Sequence, residues 1–227
     1  MTRDTVIFDF GGVLTSSPFE AFNRMEAERG LPHDFVRRVN SANPDDNAWA
    51  RFERSEIDAA AFDLAFRAEA LAMGHDLAGR EVLARLMGDI RPEMVAALDR
   101  LKQLGFRIAC ITNNVRSGKG AQMSRSADHA GKIAAILARF ETVVESSREG
   151  VRKPDPAIYR IACDRLGVRP DRCVYLDDLG VNCKPAAALG MAAIKVVSAV
   201  QALADLEAAL GLSQGMLTSR LKPGSAP

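Results

Sequence analysis

Five short apolar runs recur along the sequence, and from residue 92 onward they alternate with helical patterns. The runs are rich in β-branched and aromatic residues and lie between turn signals, at 5–10, 106–112, 141–146, 172–178 and 192–197. They are almost continuously apolar, as is typical of strands covered on both faces. Because strand–helix alternation requires crossover connections, the sequence predicts an α/β fold: a doubly wound parallel sheet with helices on both faces.

The long segment between the first and second runs carries almost no strand signal. Helical patterns occur there around 18–29, 33–42, 45–54, 56–73 and 78–88. A helical block inserted after the first strand of such a sheet is not a crossover connection, so we expect residues 16–88 to form a cap subdomain. The core then comprises 1–15 and 89–212, and residues 213–227 are expected to form a flexible tail.

The composition limits the classes of partner. The chain has 30 Lys and Arg against 29 Asp and Glu, a formal net charge of +1, which gives no electrostatic reason to expect nucleic acid or an anionic membrane. No apolar run approaches the roughly 18–20 residues that span a bilayer, and no signal-peptide pattern opens the chain. We therefore expect a cytoplasmic protein with a small-molecule partner, no nucleic-acid partner and no membrane partner. The oligomeric state is not indicated.

Polar residues lie at the carboxyl ends of four of the five runs. They are Asp9 at the end of the first, Thr112 and Asn113 at the end of the second, Lys153 between the third and the helix that follows it, and Asp177 and Asp178 at the end of the fourth. Each alone has an ordinary explanation as a helix cap, a turn residue or a solvated surface residue. Helix capping alone would not explain why such residues appear at all of these strand ends in the order Asp, Thr, Lys, Asp-Asp. Because open α/β sheets bind ligands at the carboxyl ends of their strands, we expect one shared active site.

The charges of this site call for a cation. Asp9, Asp177 and Asp178 would repel one another strongly if no cation lay among them. Oxygen ligands with room for water and a phosphate suit Mg²⁺ better than zinc. We therefore predict a Mg²⁺ cofactor held by these carboxylates, with Lys153 opposite, in a positive pocket for a phosphoryl group.

Asp9 is the candidate nucleophile. An aspartate with an ordinary pKa of about 3.9 is ionised at neutral pH, and attack of its oxygen on phosphorus would give an aspartyl-phosphate. Thr112, Asn113 and Lys153 are the predicted phosphate-binding side chains. The main-chain N–H of Gly12 is expected to approach the phosphate, because no Cβ lies in the way.

Four segments, "FDFGGVL", "ITNN", "RKPDP" and "YLDDLGVNCKPAAALG", resemble the four motifs of the haloacid dehalogenase superfamily, in the same order and at the same strand ends. Within it, the chain is similar to the N-terminal phosphatase domains of soluble epoxide hydrolases and to the domain that opens an acyl-CoA dehydrogenase fusion protein. The likeness covers residues 4 to about 211, and "WARFERSEI" at 49–57 resembles a cap signature.

The resemblance implies a Rossmann-like core with an inserted α-helical cap, and hydrolysis of a small phosphorylated metabolite that depends on Mg²⁺. It implies Asp9 as nucleophile and metal ligand, Gly11 as a ligand through its main-chain carbonyl, and Asp178 as a ligand with Asp177 beside it. It also implies Thr112, Asn113 and Lys153 as phosphate-binding residues.

Position 11 departs from the superfamily pattern. Most of its phosphatases carry Asp-x-Asp, where the second aspartate protonates the leaving oxygen and then activates water, whereas this chain has Asp9-Phe10-Gly11. A main-chain carbonyl is retained, so metal binding is unaffected. General acid–base catalysis is typically worth about 10²–10⁴-fold, and its loss favours slow chemistry or activated substrates such as glycosyl or acyl phosphates.

Two alternatives stay open. One is a binding or regulatory protein that keeps the pocket without turnover, for which only Gly11 argues. The other is a 2-haloacid dehalogenase, in which Asp9 displaces halide from carbon without a metal. The paired aspartates 177–178 and the absence of a tyrosine at position 11 argue against it.

Two segments bear on the substrate. Trp49, Arg51 and Arg54 are the polar and aromatic candidates for substrate contact in the predicted cap, although packing is the favoured role for Trp49. Residues 115–132 are Gly/Ser-rich and basic; a mobile loop that binds an anionic substrate is one interpretation, and an ordinary disordered loop is the favoured one.

Overall fold

A five-stranded parallel sheet forms the centre of the molecule. The structure is a computed structural model, and it describes residues 2–115 and 127–218. The strands are β1 (Thr5–Phe8), β2 (Arg107–Thr112), β3 (Thr142–Glu145), β4 (Cys173–Asp177) and β5 (Ala192–Lys195), in the spatial order β3-β2-β1-β4-β5. Each strand lies within one predicted run, and every neighbouring pair is parallel. The predicted Rossmann-like α/β fold is confirmed.

The helices follow the predicted division of the chain. They are α1 (Pro18–Glu28), α2 (Phe35–Ala42), α3 (Ala48–Glu53), α4 (Ala59–Ala72), α5 (Gly79–Leu83), α6 (Pro92–Gln103), α7 (Ala127–Leu137), α8 (Ser146–Glu149), α9 (Pro156–Leu166), α10 (Gly180–Ala188) and α11 (Ala199–Leu210). The helices α1–α5 lie within the five predicted patterns between 18 and 88, although α5 is shorter than predicted. No helix in the described ranges is long and apolar enough to cross a membrane.

Two apolar clusters cover the two faces of the sheet. Successive strand residues point to opposite faces, so Val6 and Phe8 pack in one cluster with α6 and α11, while Ile7 packs in the other with α9. All three side chains are fully buried. Burial on both faces is the reason that the strands are continuously apolar in sequence.

A third apolar cluster belongs to the helices between β1 and β2. It is built around aromatic side chains from α1 to α4, among them Phe52 and Phe62, whose rings stack with centroids 4.8 Å apart. The chain enters and leaves this block through two paired segments, where Thr15 bridges Ile90 in antiparallel fashion. This pairing supports the predicted cap at 16–88, and the domain boundaries stay a prediction.

Two predicted irregular segments contain ordered structure. The tail predicted at 213–227 is packed over its first part, because the main-chain N–H groups of Gly215 and Leu217 donate to the buried Glu207 carboxylate at 2.8 and 2.6 Å. The prediction of a loop over 115–132 is wrong for residues 127–132, which belong to α7. The remainder of each prediction, 116–126 and 219–227, lies outside the described residues.

The turn after β1 depends on Gly12. Its φ of +75° lies in the left-handed region, which side chains disfavour. A Cβ at Gly12 would also lie 2.1 Å from Oδ2 of Asp178, which follows the neighbouring strand β4. Gly11 differs, because its φ is not left-handed and no atom lies within 4 Å of a Cβ placed there. Gly12 therefore allows β1 and β4 to deliver their carboxylates to the same place.

We expect Gly12→Ala to lower the free energy of unfolding by at least about 1–3 kcal/mol, because the left-handed backbone and the contact with Asp178 both resist a methyl group. The matched substitution Gly11→Ala should change it by less than about 1 kcal/mol. Urea denaturation of the two variants beside the wild type measures the difference. Equal destabilisation by the two substitutions would contradict the role given to Gly12.

Candidate active site

The carboxyl ends of β1, β2 and β4 meet at the floor of a cavity of about 640 Å³. Six of the eight predicted site residues line it: Asp9, Gly11, Thr112, Asn113, Lys153 and Asp178. The other two, Gly12 and Asp177, are buried next to these residues and are not part of the lining. The structure therefore brings the separate sequence motifs into one site, as open α/β sheets do at this edge.

Lys153 lies at the floor of the cavity, between Asp9 and Asp177. Its side chain is 1% exposed, and Nζ lies 2.7 Å from Asp9 Oδ1, 2.8 Å from Asp177 Oδ2 and 3.2 Å from the Ile111 carbonyl. Burial alone would lower the pKa of this lysine, but Asp177 and Asp9 raise its pKa above the ordinary value. Lys153 is therefore a fixed positive charge beside Asp9.

The Asp177 carboxylate is occupied by protein donors. Its side chain is fully buried and accepts hydrogen bonds from the Leu179 N–H at 2.8 Å, Asn182 Nδ2 at 3.1 Å, the Tyr175 hydroxyl at 2.5 Å and Lys153 Nζ at 2.8 Å. A carboxylate with this many donors has little capacity left for a metal. We propose that Asp177 anchors Lys153, which differs from its predicted role as a metal ligand.

Sequence reasoning missed Tyr175 and Asn182, the side chains that complete the environment of Asp177. A usable signal existed for Tyr175, because residues two apart on a strand share a face, and Tyr175 and Asp177 are both in β4. Burial, and then Asp177, raise the pKa of Tyr175 well above its usual range, so the phenol stays a hydrogen-bond donor. Nothing comparable in the sequence indicates Asn182, whose amide reaches back from α10.

Asp9 is buried and held in one orientation. It is 7% exposed; Oδ1 accepts a hydrogen bond from the Phe10 N–H at 2.6 Å and forms an ion pair with Lys153 Nζ at 2.7 Å. Burial raises its pKa, Lys153 opposes this, and Asp177 and Asp178 raise the pKa further. The net direction is upward, so the ionised form of Asp9 needs more positive charge than Lys153 supplies.

Asp178 faces the cavity from the end of β4. The Ser17 hydroxyl, at the start of the predicted cap, donates to its Oδ2 at 3.0 Å. Burial and the neighbouring Asp177 raise the pKa of Asp178, while the Ser17 hydrogen bond acts in the other direction. Unlike Asp9, which pairs with Lys153, Asp178 forms no ion pair among the ones found within the described residues.

The donor set fits Mg²⁺. One oxygen from each of Asp9, Asp177 and Asp178 lies within 4.8 Å of the others. When ionised, these three carboxylates outnumber the one positive charge of Lys153 beside them. Hard oxygen donors with an excess of negative charge favour a divalent cation such as Mg²⁺. The cavity-facing candidates are Asp9 and Asp178, with the Gly11 carbonyl as the ligand that the resemblance implies.

Thr112 is the last residue of β2 and Asn113 follows it, and their side chains differ in their contacts. Thr112 is 3% exposed and lines the cavity. The Asn113 amide binds the main chain of Lys153 at both ends: Oδ1 accepts from its N–H at 2.8 Å and Nδ2 donates to its carbonyl at 3.0 Å. The second hydrogen on Nδ2 goes to Glu53 at 3.2 Å. Asn113 therefore has only its main-chain N–H to offer a phosphate.

The wall opposite the catalytic floor is largely apolar and comes from the helical block. Its apolar members include Phe19, Phe22, Trp49 and Leu86. The ring of Trp49 also packs edge-on against Phe62, with centroids 5.6 Å apart, so the expected packing role and a cavity-lining role are both present. An apolar wall above a charged floor suits a substrate with one anionic end and one organic end.

The cationic side chains near this wall differ from the predicted ones. Arg51 and Arg54 are not part of the cavity lining, and Arg54 donates to the Glu56 carboxylate at 2.5 Å. Arg37 and Arg152 do line the cavity. The sequence does not predict Arg37 and Arg152 as cavity residues, because single arginines on a helix or in a loop are typical of solvated surface.

Relatives of this chain occur in larger proteins. It is 31% identical over 215 residues to mouse acyl-CoA dehydrogenase family member 10, and 30% identical over 236 residues to pig bifunctional epoxide hydrolase 2. These alignments cover 91% and 99% of this chain but 19% and 42% of the relatives, so the chain spans less than half the length of either. Relatives at 29% identity are named phosphatase MT3486, from Mycobacterium tuberculosis, and (S)-2-haloacid dehalogenase 1, from Pseudomonas; they cover 86% and 62% of this chain and 88% and 59% of those proteins.

Solved structures and a family model agree on the fold. A Bacteroides thetaiotaomicron enzyme described as of the HAD family, in complex with magnesium and inorganic phosphate, superimposes with a TM-score of 0.55 at 18% identity. The match covers 85% of this chain and 93% of that one. The model for haloacid dehalogenase-like hydrolases matches residues 3–190. On the match to most of its length, and on the strand-end motifs that meet at one cavity, this chain belongs to the haloacid dehalogenase-like hydrolase family.

Proposed function

We propose that this protein is a Mg²⁺-dependent phosphatase that hydrolyses a small phosphorylated metabolite through an aspartyl-phosphate on Asp9. The observation that carries the proposal is the buried arrangement of Lys153 between Asp9 and Asp177, next to the cavity-facing Asp178. It provides a nucleophile, a fixed positive charge and a place for a cation at one cavity floor. The relative named as a phosphatase and the structural neighbour with magnesium and phosphate support the same chemistry.

The geometry orients Asp9 for attack. The Phe10 N–H and Lys153 both bind Oδ1, so Oδ2 is the oxygen left to form a bond to phosphorus. As that bond forms, the bond from phosphorus to the leaving oxygen breaks; water then attacks phosphorus and releases inorganic phosphate and Asp9. Lys153 stabilises the negative charge of the transferred group. Mg²⁺, when bound by Asp9 and Asp178, would reduce the repulsion between the phosphate and the carboxylates.

The dehalogenase alternative is disfavoured by the charge of the floor. Displacement of halide by an aspartate needs no metal, whereas this site gathers three carboxylates around one lysine. Relatives named as dehalogenases keep the alternative worth testing. The alternative of a binding protein without turnover rests only on Gly11.

We expect the wild type to hydrolyse p-nitrophenyl phosphate in the presence of Mg²⁺ and to lose this activity in EDTA. Asp9→Asn should reduce turnover to background, because an amide of nearly the same shape is a poor nucleophile. Release of p-nitrophenol gives the rate, and thermal melting of the variant checks its fold. Wild-type activity in Asp9→Asn would exclude the covalent mechanism. Chloride release from 2-chloropropionate without p-nitrophenyl phosphate hydrolysis would favour the dehalogenase, and neither activity would favour the binding protein.

The second expectation concerns the leaving group. Gly11 lines the cavity and carries no proton donor, so turnover should depend strongly on leaving-group pKa. Aryl and acyl phosphates leave without much protonation and should be hydrolysed far faster than alkyl phosphates. The measurement is kcat/KM across a series of leaving groups. A flat dependence would show that another residue supplies the proton.

We expect Gly11→Asp to accelerate alkyl phosphate hydrolysis most, by up to the ~10²-fold low end of general acid catalysis. Both structural conditions for the substitution hold, since a Cβ at Gly11 has open space and the backbone is not left-handed. Gly11→Asn is the matched control, because it has the same shape and no acidic proton. A gain in Gly11→Asn equal to that in Gly11→Asp would rule out a proton-transfer explanation.

A further inference from the structure

Glu53 lies where the helical block meets the catalytic floor. It is the last residue of α3 and is 6% exposed, although it is a carboxylate. Its Oε1 accepts a hydrogen bond from Trp49 Nε1 at 2.9 Å. Its Oε2 accepts from Arg152 Nε at 2.6 Å and from Asn113 Nδ2 at 3.2 Å. One buried carboxylate thus contacts the cavity wall, the residue before Lys153 and the end of β2.

The main chain around Glu53 is attached to the core as well. The Glu53 carbonyl accepts from the Ser146 hydroxyl at 2.8 Å, at the start of α8. Arg152 donates a second hydrogen bond, at 2.9 Å, to the carbonyl of Pro44, in the segment before α3. The end of α3 is therefore bound to the segments that follow β2 and β3, which carry Asn113 and Lys153.

The charge of Glu53 is compensated at this position. A buried carboxylate is unfavourable unless it is paired and hydrogen-bonded. Arg152 provides the opposite charge in a charge-assisted hydrogen bond, and Trp49 and Asn113 provide two further donors. Removal of the carboxylate would leave these donors unsatisfied in a partly buried place, so the conformation of all three depends on Glu53.

The connection to Lys153 passes through the Asn113 amide. One hydrogen of Nδ2 is donated to Glu53 and the other to the Lys153 carbonyl, while Oδ1 accepts from the Lys153 N–H. The hydrogen bond to Glu53 requires the same orientation of the amide as the two bonds to the main chain of Lys153. It therefore reinforces the position of Asn113 against Lys153.

We propose that Glu53 is a positioning residue that couples the cavity wall to the catalytic floor. Docking of α3 through Glu53 orients Asn113, and through it Lys153, and the same carboxylate holds Trp49 in the wall that the organic part of a substrate would contact. The fit of a substrate against Trp49 is thereby linked to the position of the ammonium that binds its phosphate. The activity readout of this proposal rests on the proposed phosphatase function, and its binding readout does not.

The test compares Glu53→Gln with Glu69→Gln. Glutamine keeps the shape of Glu53 but removes its charge, and its N–H₂ group must face either Trp49 or the donors of Arg152 and Asn113. Glu69 is the matched control, because its Oε1 accepts from the Ala48 N–H at 2.7 Å, at the opposite end of α3 and within the helical block. Both variants perturb α3, and only Glu53→Gln reaches the catalytic floor.

Trp49 is the only tryptophan of the chain, so its fluorescence reports directly on this contact. Inorganic phosphate, titrated in the presence of Mg²⁺, should change the emission of the wild type and give a Kd. In Glu53→Gln we expect the Kd for phosphate to rise, and kcat for p-nitrophenyl phosphate to fall, each by about tenfold to a hundredfold. Glu69→Gln should leave both within about twofold of the wild type.

Several outcomes would decide the matter. Equal values of Kd and kcat in the two variants would overturn the proposal, and so would a wild type whose Trp49 emission does not respond to phosphate. A wild type that binds phosphate, with weakened binding in Glu53→Gln but no hydrolysis, would support the positioning role and reject the phosphatase. If Glu53→Gln melts below the assay temperature, Glu53→Asp is measured in its place, with the same order of effects required.

Discussion

The burial of one lysine is the constraint on which the rest of the site depends. An ammonium group at 1% exposure is stable only with acceptors on every side, and Lys153 finds Asp9 at the end of β1 and Asp177 at the end of β4. This requires β1 and β4 to be neighbours, as they are in the sheet. Tyr175 and Asn182 then satisfy the rest of Asp177. The order of the strands and the placement of the charged side chains at the cavity floor therefore depend on each other.

The same packing places three carboxylates beside a single lysine at the cavity floor. Asp177 is hydrogen-bonded to Lys153. Asp9 and Asp178 face the cavity, and burial together with the neighbouring Asp177 raises the pKa of each. Gly12 makes this approach possible, because any side chain there would overlap Asp178. A fold that brings the two carboxylates so close is suited to a divalent cation, which is why we propose a phosphate ester as the substrate.

The apolar wall and the charged floor come from different parts of the chain. The wall is supplied mainly by the block between β1 and β2, and the floor by the strand ends. Glu53 is a buried link between them, in contact with Trp49, Arg152 and Asn113. A site divided in this way allows the wall to change with the substrate while the floor keeps its chemistry. It also requires a contact that fixes the position of the wall relative to the floor.

The sequence by itself determined the strands, the helices between β1 and β2, and most of the polar residues that meet at the floor of the cavity. Those features follow from local patterns: apolar runs for strands buried on both faces, and polar residues where the strands end. Only the tertiary structure decided which partners each of these polar residues binds. Asp177 differs from Asp178 because Tyr175 and Asn182 surround it, and Glu53 differs from other cap carboxylates because Arg152, 99 residues further along the chain, lies against it. Such contacts join segments that no local pattern relates, so burial and hydrogen bonding between them emerge only when the chain is folded.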